Sequence, residues 1–238
     1  MRPTNLVARP ERGRVFERRR PVRLSDTDAA GRLRLDAIAR YLQDVATDDV
    51  ADNGAGSIDD LWIVRRTVLE VVVPFAGDES VDLATWCSGV GSAAAARRTS
   101  VAGDAGGLAE AETVWIHLDR EQHPARVSER FLATYEEACG GRRASTRLAL
   151  PDPPAHAERR AWPLRSTDVD VMGHVNNAAY WHAVEEAFVG GLAAPLTAIL
   201  EYRASIDPGE TVELWRSGDG MWLVVGSETR AAAAVTGS

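Results

Sequence analysis

The sequence predicts an α+β protein of two similar units, each a long helix wrapped by a mostly antiparallel five-stranded sheet. Three observations predict it. First, a segment near the start recurs in the second half. Residues 23–33, RLSDTDAAGRL, match residues 165–175, RSTDVDVMGHV, at an offset of 142. Arg23 meets Arg165, Asp26 meets Asp168, Asp28 meets Asp170 and Gly31 meets Gly173. Second, a helical pattern follows in both places. Third, each helical pattern is followed by strand-like segments. The length of 238 residues suits two units of roughly 100 each.

Each helix opens after an Asp/Gly-rich turn, a start signal. In the first, Ile38, Leu42 and Val45 recur at helical spacing with Tyr41 beside them; in the second, Tyr180, Val184, Ala187 and Phe188 do so beside Trp181. The first set of strands runs over Trp62–Val73, Val81–Trp86, Ala93–Val101 and Leu108–Leu118. In the last of these Val114, Ile116 and Leu118 share one face, and Thr113, Trp115 and His117 the other. The second set is shorter: Ala198–Ile206, Val212–Arg216, Met221–Gly226 and Glu228–Val235. Between the sets, Phe131–Cys139 fits a helix stopped by Gly140-Gly141. An extended, poorly packed crossing through Pro151, Pro153 and Pro154 follows. The expected organisation is an N-terminal unit over 1–139, a linker over 140–158 and a C-terminal unit over 159–238.

Composition narrows the function classes. Apolar residues make up 45 %, enough for a real core. The net charge of −8 argues against nonspecific nucleic-acid binding. It averages a basic start with an acidic body: residues 1–23 carry eight Arg against Glu11 and Glu17. All 27 basic residues are Arg, a mark of genome composition rather than of chemistry. Two cysteines, Cys87 and Cys139, exclude a disulfide scaffold. No apolar run approaches the roughly 18 residues that span a bilayer, and no apolar segment follows the basic start as in a secretory signal. A soluble cytoplasmic protein without membrane or nucleic-acid partners is expected. His117, His123, His156 and His182 show no metal-ligand spacing, and no metal or cofactor is expected.

Four segments carry a family resemblance. GRLRLDAIARYLQDVATDDV (31–50) resembles the first helix of bacterial and plant acyl-acyl-carrier-protein (acyl-ACP) thioesterases, and LWIVRRTVLEV (61–71) their following strand. DVDVMGHVNNAAYW (168–181) resembles the active-site segment of their second hotdog, and LEYRAS (200–205) the strand behind it. The resemblance covers most of residues 20–215 in order and implies a tandem (double) hotdog. It implies hydrolysis of acyl-ACP to free fatty acid and carrier. The alternatives are an acyl-CoA thioesterase and a non-catalytic acyl-binding hotdog protein. It places the family's catalytic carboxylate at Asp170 and its histidine at His174. Departures stand beside these matches. Met172 replaces a frequent Asn, and Ser205 and Ile206 replace a Glu-Cys pair.

Thioester hydrolysis needs a base or nucleophile, donors for the oxyanion and a slot for the chain. Asp170, placed just before a helix, is the candidate base or nucleophile; its other reading is a helix N-cap. Backbone N–H groups from Gly173 to Val175 are the expected oxyanion donors, and Gly173 would allow close backbone approach. His174 would bind water or thioester, or orient Asp170. Asn176 and Asn177 would donate to substrate or brace the turn. Ser205 could hold a water. Asp28, with Arg32 in place of the histidine and Arg34-Leu35 in place of Asn-Asn, is expected to be a relic. Arg18, Arg19 and Arg20 are candidates for docking an acidic carrier protein, or part of a solvated tail. Two fused hotdogs make a monomer sufficient and leave a homodimer open.

Overall fold

In the computed structural model, residues 6–54 and 61–237 are described; residues 1–5 of the basic start, Arg2 included, lie outside them. The first half runs β1 (Val15–Pro21), α1 (Leu35–Asp52), β2 (Leu61–Val73), β3 (Ser80–Val90), β4 (Ala94–Gly103), β5 (Leu108–Leu118) and α2 (Glu129–Cys139). The second runs β6 (Glu158–Trp162), α3 (Ala179–Ala187), β7 (Leu196–Tyr202), β8 (Val212–Ser217), β9 (Gly220–Val225) and β10 (Glu228–Gly237).

All these strands join one antiparallel sheet in the order β1-β3-β4-β5-β2-β7-β10-β9-β8-β6. The order is the same five-strand pattern read outward from a central seam. At that seam β2 pairs with β7, from Arg66 opposite Glu201 to Val71 opposite Leu196. Each half keeps its helix on the sheet, the hotdog arrangement. The α1 stripe of Leu35, Ile38, Tyr41, Leu42 and Val45 is buried at i, i+3, i+4, i+7 spacing. It shares one continuous core with Tyr180, Trp181 and Val184 of α3.

The duplication holds bond by bond. Asp28 N–H donates to Arg32 O (2.9 Å) and Asp170 N–H to His174 O (3.0 Å). Gly31 N–H donates to Asp28 O as Gly173 N–H does to Asp170 O, both at 3.0 Å. Arg34 N–H reaches Asp26 O (3.0 Å) and Asn176 N–H reaches Asp168 O (2.8 Å). Short bridges Thr27–Leu33 and Val169–Val175 close the two turns. The halves differ in helix length, 18 residues for α1 and nine for α3.

The crossing between halves departs from expectation. Its side chains are mostly exposed, but its backbone is pinned. Buried Glu201 of β7 accepts the N–H groups of Ala149 (2.7 Å) and Leu150 (3.2 Å). Arg203 donates to Leu150 O (2.6 Å) and pairs with Asp152, and the Trp222 indole donates to Pro151 O (2.8 Å). Proline composition predicted the extended shape; the anchors lie on strands some 50 to 70 positions away. The helix before it, α2, is capped by Ser128 Oγ accepting Phe131 N–H (3.2 Å) and ends at Gly140, whose φ of 54° is left-handed.

Candidate active site

The loop before α3 is wound tightly on itself. Arg165 holds buried Asp168 at 2.8 Å. Both oxygens of the Asp170 carboxylate have donors: Met172 N–H to Oδ1 (2.9 Å) and the Asn176 amide to Oδ2 (3.0 Å). Asp170 is not the helix cap, because α3 begins only at Ala179. Asn176 holds the helix entry instead, its Oδ1 accepting Ala178 N–H (2.9 Å) and its O accepting Ala179 N–H (2.8 Å). Gly173 has φ +80°, and a Cβ there would meet nothing within 4 Å. Its positive φ requires glycine for the left-handed turn, and the space beside it is open.

Two of the three expected backbone donors are engaged, and the N–H of His174 is not. Gly173 N–H is taken by Asp170 O, and Val175 N–H by Ile206 O (3.0 Å) while its side chain enters the core. Among the described residues, the Asn177 N–H at the head of α3 has no acceptor, and neither do those of His174 and Tyr180 beside it. Asn177 is fixed from behind. The Trp181 indole donates to Tyr202 Oη, which donates to Asn177 O, each at 3.1 Å. Burial pushes the Tyr202 hydroxyl far above the usual phenol range, so it stays a neutral donor.

The His174 imidazole has no hydrogen bond to the Asp170 carboxylate. Its Nδ1 lies 2.6 Å from Asp207 Oδ1, beyond the end of β7. Asp207 was not among the sequence candidates. The resemblance points to an acid at Ser205, and the acid present stands two positions later. His182, set aside in the sequence, lies near the cleft but has both nitrogens engaged. Nδ1 accepts from Arg165 Nη2 (2.8 Å), and Nε2 faces Asp36 Oδ2 at 3.2 Å.

Three neighbouring cavities share walls: Gln43 borders all three, Ala178 the first two and Trp115 the last two. A cleft is bordered by Thr167, Asp170, Asn176, His182, Arg40 and Gln43. The second is a throat of only about 20 Å³, bordered by Gln43, Asn177, Ala178, Trp115 and Tyr202. The third is a mainly apolar chamber of about 220 Å³ walled by α1, Trp62, Trp115 and Phe131, all from the first half. Ser205 is exposed and borders none of the three.

The arginines expected to form a cationic patch on β1 each face a carboxylate in a solvent-exposed pair. Arg18 pairs with Asp48 (3.3 Å), Arg19 with Asp82 (2.8 Å) and Asp104 (2.6 Å), and Arg20 with Asp44 (2.6 Å). Arg20 also stacks on Tyr41 at 3.7 Å. In an exposed turn, Asp119, Glu121 and His123 bring ligand-type atoms within 4.8 Å of one another. The Asp119 carboxylate there accepts the N–H groups of Glu121 and His123 (both 2.9 Å), a local Asx turn.

Comparison with known proteins bears on the family and the fold. Residues 13–135 match the acyl-ACP thioesterase N-terminal domain, and residues 152–230 match the acyl-ACP thioesterase C-terminal domain. An uncharacterized protein of Mycobacterium tuberculosis is 34 % identical over 235 residues, 96 % of this chain and 94 % of that protein. The fold matches the 12:0-ACP thioesterase of Umbellularia californica with a TM-score of 0.77 at 17 % identity, over 93 % of this chain and 96 % of that one. It matches an acyl-ACP thioesterase of Bacteroides thetaiotaomicron with a TM-score of 0.77 at 18 % identity, over the same shares. With one domain model falling on each half in order, the chain belongs to the acyl-ACP thioesterase family, a family of thioester hydrolases.

Proposed function

We propose that the chain hydrolyses acyl-ACP to free fatty acid and carrier, with the reaction at the second hotdog and the acyl chain held by the first. One observation carries this reading. The Asp170–Asn176 pair borders a cleft that shares walls with a narrow throat, and the throat shares walls with an apolar chamber built by the other half. Such a layout suits a polar reaction at the end of an apolar tail. The throat has room for about one water, so chain entry requires its side chains to move.

In this reading the Asp170 carboxylate takes a proton from the attacking water, or itself attacks the thioester carbonyl carbon. Carbonyl electrons move to oxygen, and the Asn177 N–H stabilises that oxyanion. Collapse breaks the C–S bond and the sulfur leaves, protonated, as the carrier's thiol; on the nucleophilic route water then hydrolyses the acyl–Asp170 anhydride, giving the fatty acid and restoring the carboxylate. In the same reading His174, held at Nδ1 by Asp207 and bordering none of the three cavities, exchanges protons with water or the departing sulfur once substrate is bound. The domain limits of 1–139 and 159–238, a cytoplasmic setting and a role in fatty-acid biosynthesis belong to the same proposal. Docking of the acidic carrier on Arg18, Arg19 and Arg20 belongs to it as well; their ion pairs are solvent-exposed and can exchange for the carrier's carboxylates.

A panel of acyl-ACP and acyl-CoA substrates of matched chain length tests the proposal with wild type and Asp170→Asn. Hydrolysis of acyl-ACP that falls about 10²- to 10⁴-fold on substitution is expected, the range of a positioned acid–base group. Faster turnover of acyl-CoA would move the substrate to the CoA ester. Binding of acyl chains with no hydrolysis by wild type would favour the non-catalytic reading.

A further inference from the structure

Gln43 stands at an unusual place. It sits on α1, in the first half, yet it borders the Asp170 cleft, the throat and the chamber alike. Its side chain is half-buried, and among the described residues its amide has no hydrogen-bond partner; only its backbone O is used, by Thr47 Oγ1 (3.0 Å). The amide keeps solvent contact and is committed to no group among the described residues, so it can meet an arriving acceptor without giving up a partner.

The internal duplication shows where such a side chain reaches. At the offset of 142, Gln43 corresponds to Glu185, and Leu35 corresponds to Asn177. Glu185 extends from α3 to the head of α1. Its Oε1 accepts Leu35 N–H at 2.6 Å, and both its oxygens bind Arg32, at 3.2 and 2.6 Å. Arg32 occupies the place of His174, and Asp28 that of Asp170. In the first half, then, a carboxylate from the facing helix sits on the very N–H whose counterpart, at Asn177, is free. The molecule carries its own image of an anionic oxygen bound at this position.

We propose that the Gln43 amide is a catalytic residue. It donates a hydrogen bond to the thioester carbonyl oxygen, alongside the Asn177 N–H, so that the oxyanion is held by one donor from each half. The inference rests on the reading of Asp170 and Asn177 given above. It also explains why position 43 is Gln and position 185 is Glu. A neutral amide can donate to a developing oxyanion; a carboxylate would occupy the site itself and repel that charge. A donor matched to the transition state acts on kcat more than on KM.

Three variants of the full-length chain test this with an acyl-ACP substrate. Gln43→Ala is expected to lower kcat by about 10²- to 10³-fold with KM changed less than about threefold. Gln43→Glu is expected to lower kcat at least as far, with no loss of Tm, because the new carboxylate caps the head of α3 as Glu185 caps α1. Asp170→Asn serves as the reference. If Asp170→Asn is inactive while both Gln43 variants keep kcat within about threefold, the proposal for Gln43 is overturned and the Asp170 site stands. If Asp170→Asn keeps the wild-type rate, the site reading fails and this proposal with it. A fall in kcat for Gln43→Ala that is matched by a large rise in KM assigns Gln43 to chain binding and likewise overturns the oxyanion role.

Discussion

A histidine with one ring nitrogen held by a carboxylate presents its other nitrogen in a fixed direction. His174 is such a residue, its Nδ1 2.6 Å from Asp207, and the partner lies 33 positions away. Asp207→Asn tests whether that orientation matters. The expected outcome is a fall in kcat of up to about 100-fold with KM little changed, the lower end of a positioned proton carrier. Partial recovery is expected in Asp207→Glu. Unchanged kinetics in both variants would leave Asp207 with a structural role. The same pair marks the limit of what the sequence made legible. Asp170 and Asn176 are six positions apart and meet within one loop, so their pairing is local and readable. Gly173 was readable as a special residue, and its positive φ is a reason the sequence alone does not display. Asp207, Gln43 and the free Asn177 N–H depend on contacts between distant elements. Residue type and spacing carry no record of them.

At the scale of elements, the two helices hold each other's ends. The α1 N-cap is Arg34, which provides no side-chain cap; Glu185 of α3 supplies it at Leu35 N–H (2.6 Å). Burial works against the charge of Arg32, but the hydrogen bonds and charge of Glu185 more than offset it and raise its pKa. Glu185→Ala therefore removes a helix cap and the partner of a largely buried guanidinium. A loss of about 2–4 kcal/mol is expected, below the full cost of a deeply buried pair because both groups keep some water contact. Arg32→Met with Glu185→Met should recover part of that loss, which urea unfolding of both singles and the double would read as coupling. Strict additivity would deny the interaction. The strands were largely readable from alternation. The sequence-predicted strand Ala198–Ile206 instead ends at Tyr202. Ile206 turns into the core there, and its carbonyl is taken by Val175. The arginines of β1 also gain a role at this scale. They lie on an edge strand, where paired charges oppose sheet-to-sheet association.

For the whole molecule, the question is whether the halves unfold together. The β2–β7 seam makes one sheet of two halves, and buried Asp36 joins them electrostatically. Burial alone would raise the Asp36 pKa. Hydrogen bonds from His182 of the other half and from Arg34 outweigh it and hold the carboxyl below the usual carboxylate range. For Asp26 burial is likewise outweighed, here by Tyr41, the Arg23 N–H and Arg40. For Asp28 it is outweighed by the N–H groups of Arg32 and Ala30 and by the Arg32 charge. All three carboxyls are depressed on folding, so the unfolded chain binds more protons in acid. Their stabilisation is fully present above about pH 4, the unfolded carboxylate range, and is lost as pH falls through the folded values. Stability from these groups should therefore be level between about pH 5 and 7 and fall steeply below about pH 4. Because Asp36 and Glu185 span the halves, that fall should be a single cooperative transition. Three of the seven tryptophans lie in the first half and four in the second, so fluorescence can follow each half separately once one set is replaced by Phe. Coincident acid transitions from both sets, matching the loss of thioesterase activity, are expected. Separate midpoints would show that the two hotdogs are independent units, and that the seam and the Asp36–His182 contact do not couple them.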